Sequence, residues 1–402
     1  MNAPRIVWPL AESSWGAEEI AAVIGVLSSE RITMGARVAE FERAFAERLG
    51  ARYAVMVNSG SSANLLAVAA LSNLAQHPLR RDDEAIVPAL AWATTYAPLE
   101  QYGLRLRVID VNLNTLNADF DSFTAALTPS TALVVAVNIL GNPCAALPEL
   151  RRLCDEQGVY LLEDNCESLG AQLLNRPAGT FGHVGTFSFF FSHQLSTGEG
   201  GMLVTDDREI ADLARCLRAH GWARDLAPDS PLLDRFGRGN TDFAEAYRFL
   251  LPGYNLRPTE IAAAVGLAQL AKLDTMIAAR RENAARFRAA FAGDSRFILQ
   301  EETGDASWFG FTMILDNAWA LLSRRAKAFS AMRAAGIEFR PITGGSFMQH
   351  PVRNNYCWGT ECPTAFTAAD YLHTYGWFVG NHARDLSAEI AILKRTLDEA
   401  LQ

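Results

Sequence analysis

Between Val55 and Val204 the chain alternates short, largely apolar runs bounded by turn residues with helical patterns, and no other feature restricts the fold as much. The runs are "YAVMVNSG", "EAIVPAL", "LRLRVIDVN", "TALVVAVNILG", "VYLLEDN", "TFSFFF" and "GGMLVTDD". A strand that is apolar at successive positions has no face to offer water, so both faces must be covered. Helical patterns supply the cover. "SANLLAVAALSNLA" follows the first run, and "LPELRRLCDEQG", ending at a glycine, precedes the fifth. This pattern predicts a mostly parallel α/β sheet. The phenylalanine block at residues 187–191 reads as too apolar to be exposed.

After Asn255 the pattern changes. Residues 257–292 read as one long helical stretch with a break near Asp274, and "RRAKAFSAMRAAGIEFRP" reads as helix, glycine stop, then strand. A large α/β domain over residues 1–265 and a smaller α+β domain over 266–402 are expected, with the N-terminal segment packing on the smaller one. The net charge of −9 argues against a nucleic-acid surface, which needs a basic patch. The six cysteines contain no C-x-x-C pair, so they read as reduced thiols and not as a metal or iron–sulfur site. The N-terminus has no basic start followed by a long apolar run, and stretches such as "TALVVAVNIL" are too short to span a bilayer. A soluble, cytoplasmic protein with no membrane partner is expected.

Ligands of open α/β sheets bind at the carboxyl ends of the strands. "NSGSSAN" is a Gly/Ser turn that opens a helix, which is either an ordinary N-cap or a phosphate cradle. "LAWATTY" puts Trp92 past a strand, for packing or for stacking on a flat ligand. "YLLEDNCES" ends an apolar strand on Glu163 and Asp164; a carboxylate there is a helix cap or the partner of a protonated heterocycle nitrogen. "STGEGGM" places Gly200 and Gly201 in a turn between two strands.

Each motif alone is ordinary. Together, and in this order with "GYNLRPTEIAAAVGLAQL", they resemble the DegT-type nucleotide-sugar aminotransferases, which are fold type I pyridoxal phosphate (PLP) enzymes, over nearly the whole chain. The resemblance implies that Gly60, Ser61 and Ser188 hold the cofactor phosphate, that Trp92 stacks on the pyridine ring, and that Asp164 pairs with the ring nitrogen. It puts Glu167 near the ring hydroxyl, where many relatives have glutamine. It has Asn255 reach the phosphate of a neighbouring subunit, which implies a homodimer.

In the aminotransferases of this family a lysine six residues before the glutamate of "EGG" forms the Schiff base with PLP. Here His193 stands at that distance from Glu199, and the only lysines, Lys272, Lys327 and Lys394, lie far off in sequence. Histidine has no primary amine but moves protons near neutral pH. "FFFSH" and "STGEGGM" are similar to the histidine-containing sugar 3-dehydratases of the family, although Gln194 stands where a second histidine is found. That branch implies noncovalent PLP, or the pyridoxamine form (PMP) made with glutamate as amino donor. It implies His193 as the catalytic base and C3 dehydration of a nucleotide-linked 4-keto-6-deoxy sugar. An iron–sulfur branch with the same histidine needs four clustered cysteines that this chain lacks. An aminotransferase using noncovalent PMP, and a catalytically silent ligand-binding relative, are the alternative readings.

Overall fold

The computed structural model describes residues 6–402 apart from 240, 242, 245, 246, 360, 361 and 364. The strands in chain order are β1 (Tyr53–Val57), β2 (Glu84–Pro88), β3 (Arg105–Ile109), β4 (Thr131–Val137), β5 (Tyr160–Asp164), β6 (Gln172–Leu173), β7 (Arg176–Pro177), β8 (Val184–Ser188), β9 (Gly201–Thr205), β10 (Phe297–Ile298), β11 (Gly310–Leu315) and β12 (Gly376–Gly380). Seven of them form the main sheet, in the order β1-β9-β8-β5-β4-β2-β3. The parallel pairs are β2 with β3, β2 with β4, β4 with β5, and β5 with β8; β9 runs antiparallel to both its neighbours. Strands β2, β8 and β9 are buried at every position, as continuous apolar runs require. The start of antiparallel β9 thus lies at the same sheet end as the carboxyl ends of the other strands, with Gly201 in register with Val57 on one side and Ser188 on the other.

The second sheet is antiparallel, in the order β10-β11-β12. Its core joins Phe287, Phe311 and Trp377 with Trp8 from the N-terminal segment. Trp8 pairs with Ile337 and donates its indole N–H to the Gly380 carbonyl at 3.0 Å, so the start of the chain packs on this second unit. The proposed division at residue 265 falls inside the helix Glu260–Ala290.

Two expectations are corrected. The helix Glu260–Ala290 is unbroken at Asp274, whose carboxylate sits on its exposed face and pairs with Arg48. That helix is also, by length and composition alone, long and apolar enough to cross a membrane. It packs on the helices Ala17–Ser28, Ala36–Leu49 and Ser387–Ala400 and buries Ala263, Val265, Leu273, Met276 and Phe287. After Gly336, which takes φ 71°, the chain makes isolated bridges at Ile337 and Arg340 in place of a strand.

Candidate active site

The carboxyl ends of the main sheet surround a cavity of about 590 Å³. Gly60, Ser61, Trp92, Asp164, Glu167, Ser188 and His193 all line it. Asn255 does not; it is exposed, and its side-chain oxygen accepts from Arg257 Nε at 3.0 Å.

The turn after β1 is shaped by close packing. Ser59 caps the helix Gly60–Leu71 by accepting from Ser62 N. A Cβ on Gly60 would lie 2.5 Å from Ser188 Cβ, and one on Gly201 would lie 2.3 Å from the Ser59 carbonyl oxygen. The glycines of the two motifs therefore let the first helix turn, the end of β8 and the start of β9 converge. Ser61 Oγ and Thr94 Oγ1 share a hydrogen bond of 2.7 Å, so two hydroxyls cluster at this helix N-terminus, where free N–H groups and the helix dipole favour an anion.

Asp164 is buried and fixed from three sides. Its Oδ2 accepts from Asn64 Nδ2 and Thr95 Oγ1, both at 2.8 Å, and its Oδ1 accepts from Cys166 N at 3.1 Å. Asn64 is oriented in turn by Thr186, whose hydroxyl donates to Asn64 Oδ1 at 2.6 Å. The neighbouring Glu163 takes the other side of the strand and caps a turn, accepting from Gly179 N, Phe181 N and Gly182 N and from Asn138 Nδ2. The period of two in a strand thus separates a structural carboxylate from one on the cavity. Glu167 accepts from Leu140 N at 2.9 Å, and burial, reinforced by Asp164, pushes its carboxyl up to about 7.

The phenylalanine block divides. Phe187 and Phe189 are fully buried, whereas Phe190 and Phe191 are 40% and 39% exposed, because β8 ends at Ser188 and the chain leaves the core there. His193 sits beside the cavity with its ring 5.0 Å from Phe309 and 6.1 Å from Phe190. Its Nδ1 is buried and bonded to no other described residue. Burial first, and Arg280 second, lower its pKa to about 3, while the Cys166 backbone pulls the other way. The imidazole is therefore neutral at pH 7. Gln194 turns away from the cavity: its Nε2 donates to the Glu167 carbonyl at 2.6 Å and to Ser307 Oγ at 3.1 Å.

Sequence reasoning missed Asn64, Thr94, Thr95 and Phe309, which line the same cavity. Only Asn64 carried a signal, as the one amide in a helix otherwise built of small and apolar residues.

A family model described as the DegT/DnrJ/EryC1/StrS aminotransferase family matches residues 13–375. The chain belongs to the DegT/DnrJ/EryC1/StrS aminotransferase family. GDP-4-keto-6-deoxy-D-mannose 3-dehydratase of Yersinia pseudotuberculosis is 43% identical over 391 residues, 97% of this chain and 98% of the relative. The structure of the E. coli GDP-4-keto-6-deoxy-D-mannose-3-dehydratase with bound hydrated PLP matches with a TM-score of 0.93 at 44% identity, covering 98% of this chain and 99% of that one. The structure of a GDP-4-keto-6-deoxymannose-3-dehydratase with a trapped PLP-glutamate geminal diamine gives 0.92 at 43% identity, over 97% and 100%. This DegT/DnrJ/EryC1/StrS family member thus has the fold of the type I PLP enzymes.

The cavity fits that cofactor. It offers a hydroxyl-lined helix N-terminus, a carboxylate whose direction is fixed by three donors, an indole at the mouth that is 56% exposed, and the imidazole of His193. It does not fit a covalent link. Lys272 is held by Glu19 and Ser14, Lys394 by Asp294 and Asp398, and Lys327 is exposed; none lines the cavity.

Proposed function

We propose that the chain catalyses PLP/PMP-dependent C3 dehydration of a nucleotide-linked 4-keto-6-deoxy sugar, with GDP-4-keto-6-deoxymannose as the substrate and glutamate as the amino donor. The observation that carries this reading is a cavity lined by Gly60, Ser61, Trp92, Asp164, Glu167 and Ser188 in which His193 stands at the family's lysine position and no lysine reaches the walls. When bound, the cofactor carries the amino group and acts as the electron sink.

Asp164, already fixed in direction, places a negative charge against the ring nitrogen and keeps it protonated. Ser61, Ser188 and the Gly60 turn hold the phosphate, and Trp92 covers the ring face. Glu167 lies toward the ring hydroxyl. In the partner subunit's site the same phosphate is reached by Asn255, whose exposure off its own cavity suits that role, and the active unit is a C2 homodimer. The His193 imidazole is neutral and can take a proton; once charged beside Phe190 and Phe309 it is a strong acid and returns the proton to the departing C3 hydroxyl oxygen. With no lysine to displace the product amine, the sugar leaves still bearing nitrogen and hydrolyses in water to the 3-deoxy-4-keto sugar and ammonia. The work is done in the cytoplasm.

The test is incubation with PLP, glutamate and a panel of GDP-, CDP-, dTDP- and UDP-linked 4-keto-6-deoxy sugars, with products identified by mass. A product one oxygen lighter than the substrate is expected, with the GDP sugar. An amino sugar that keeps its C3 oxygen would make the chain an aminotransferase instead.

A further inference from the structure

The amino donor and the acceptor sugar must both react next to His193, and both are anions. The acidic walls of the cavity are unfavourable to anions: Asp164 and Glu199 line it, joined by Glu167 once that carboxyl ionises. Among the described lining residues, one side chain carries a permanent positive charge, Arg340. The other arginine near His193 is committed elsewhere. Arg280 donates to the Asn381 carbonyl at 2.7 Å and to the Trp308, Phe309 and His193 carbonyls at 3.4 Å. Arg340 is exposed and makes no ion pair or side-chain hydrogen bond among the described residues.

The backbone that presents Arg340 is held in place. Its N–H donates to the Phe378 carbonyl at 3.1 Å, its carbonyl accepts from Phe378 N at 2.8 Å, and a proline follows. The next turn carries three successive residues at positive φ, Thr343 at 43°, Gly344 at 89° and Gly345 at 87°. The β-branched Thr343 is costly in that region, and such strain persists where surrounding contacts enforce it. They do so here. His350 Nε2 bonds the Gly344 carbonyl at 2.9 Å, and Phe347 N donates to the Ala89 carbonyl at 2.8 Å. The Arg340–Gly344 segment is therefore fastened to the end of β2, beside Trp92. It forms a rigid wall bearing one uncommitted guanidinium.

We propose that Arg340 binds a carboxylate of the dicarboxylic amino donor, through a two-pronged guanidinium–carboxylate pair that brings the donor's α-carbon beside His193. This rests on the reading of the chain as a glutamate-dependent enzyme. A small anionic amino acid has no base or sugar ring with which to offset these acidic neighbours, so it depends on this cation more than a nucleotide sugar does. The diphosphate of a nucleotide sugar is the competing occupant.

The test uses the full-length, PLP-loaded protein with Arg340→Gln and Arg340→Lys. Calorimetry measures binding of glutarate, a dicarboxylate that lacks the amino group and cannot react, and binding of GDP. Absorbance follows the cofactor's conversion by glutamate. Loss of a charge-assisted pair predicts that Arg340→Gln weakens glutarate binding and raises KM for glutamate by about 10- to 100-fold. Arg340→Lys, which keeps the charge but loses the fork, falls between. GDP binding and the melting temperature stay at wild-type values, since the side chain is exposed. Glutarate binding within a few-fold of wild type in Arg340→Gln overturns the proposal. So does loss of GDP binding with glutarate binding retained, which gives the guanidinium to the diphosphate. If glutarate binding depends on Arg340 but no 3-deoxy sugar is ever made, the carboxylate subsite stands and the dehydratase reading falls.

Discussion

Replacing Asp164 by asparagine removes one charge and almost no volume, so its two consequences can be separated. The first is local. Asp164 accepts three hydrogen bonds, from Asn64 Nδ2, Thr95 Oγ1 and Cys166 N. An amide keeps one accepting atom. The Cys166 N–H cannot rotate away, so the amide oxygen goes to that side and the new NH2 faces Asn64 and Thr95. The threonine hydroxyl can turn and accept. The Asn64 amide cannot, because its oxygen is held by Thr186. One buried donor is left facing another, which costs about 1–3 kcal/mol of stability. The second consequence is electrostatic. A carboxylate about 4 Å from a protonated ring nitrogen, at an effective dielectric of about 20, contributes ~4 kcal/mol, or roughly 10³-fold. Asp164→Asn is therefore expected to fold, to melt somewhat earlier, and to convert its cofactor with glutamate about 10³-fold more slowly in a single-turnover absorbance assay. A variant that loses the stability but turns over within tenfold of wild type would refute the reasoning and leave Asp164 as a cap for the Cys166 N–H.

Borohydride reduction of the PLP-loaded wild type should leave no pyridoxyl group on Lys272, Lys327 or Lys394, whereas His193→Lys should be labelled at residue 193, show a shifted absorbance band and lose most dehydration; peptide mass mapping checks both. Glu167 has a folded-state pKa of about 7, above the usual carboxylate value, so the stability it contributes is complete below about 4.5 and is lost as pH rises through 7. Glu167→Gln should thus gain on wild type by up to roughly 3 kcal/mol between pH 5 and 8 in chemical denaturation of the cofactor-free protein, and a difference that does not change with pH would rule this out. Asn255→Asp puts a negative charge at the partner's phosphate, so it should weaken PLP binding at least tenfold. In mixed dimers with His193→Asn, one site should recover activity; no recovery would place Asn255 outside the shared site.

Much of the fold could be read from the sequence because burial on both faces leaves a direct trace. The runs at residues 84–88, 184–188 and 201–205 are largely apolar because no face of those strands meets water. The residues just past each strand were readable for a related reason: parallel strands bring all such positions to one end, and Ser61, Trp92, Asp164, Ser188 and His193 do meet there. What could not be read depends on distant contacts. The groups that hold Asp164 are 100 and 69 residues away, at Asn64 and Thr95. Glu163 and Asp164 look equivalent in a row of letters, and only the strand's alternation tells cap from cavity wall. Asp274 looked like a helix break because it is polar, yet it lies on an exposed helical face paired with Arg48.

The central claim is that His193 moves the proton in dehydration. Its most direct test is single-turnover dehydration by the preformed PMP complex, comparing wild type with His193→Asn, a substitution of similar size that cannot act as a base. The account predicts a fall of about 10²–10⁴-fold, the usual contribution of a general base, with PLP and GDP binding retained. A rate within a few-fold of wild type would contradict it, and would make His193 a packing residue between Phe190 and Phe309 with the proton carried by another group.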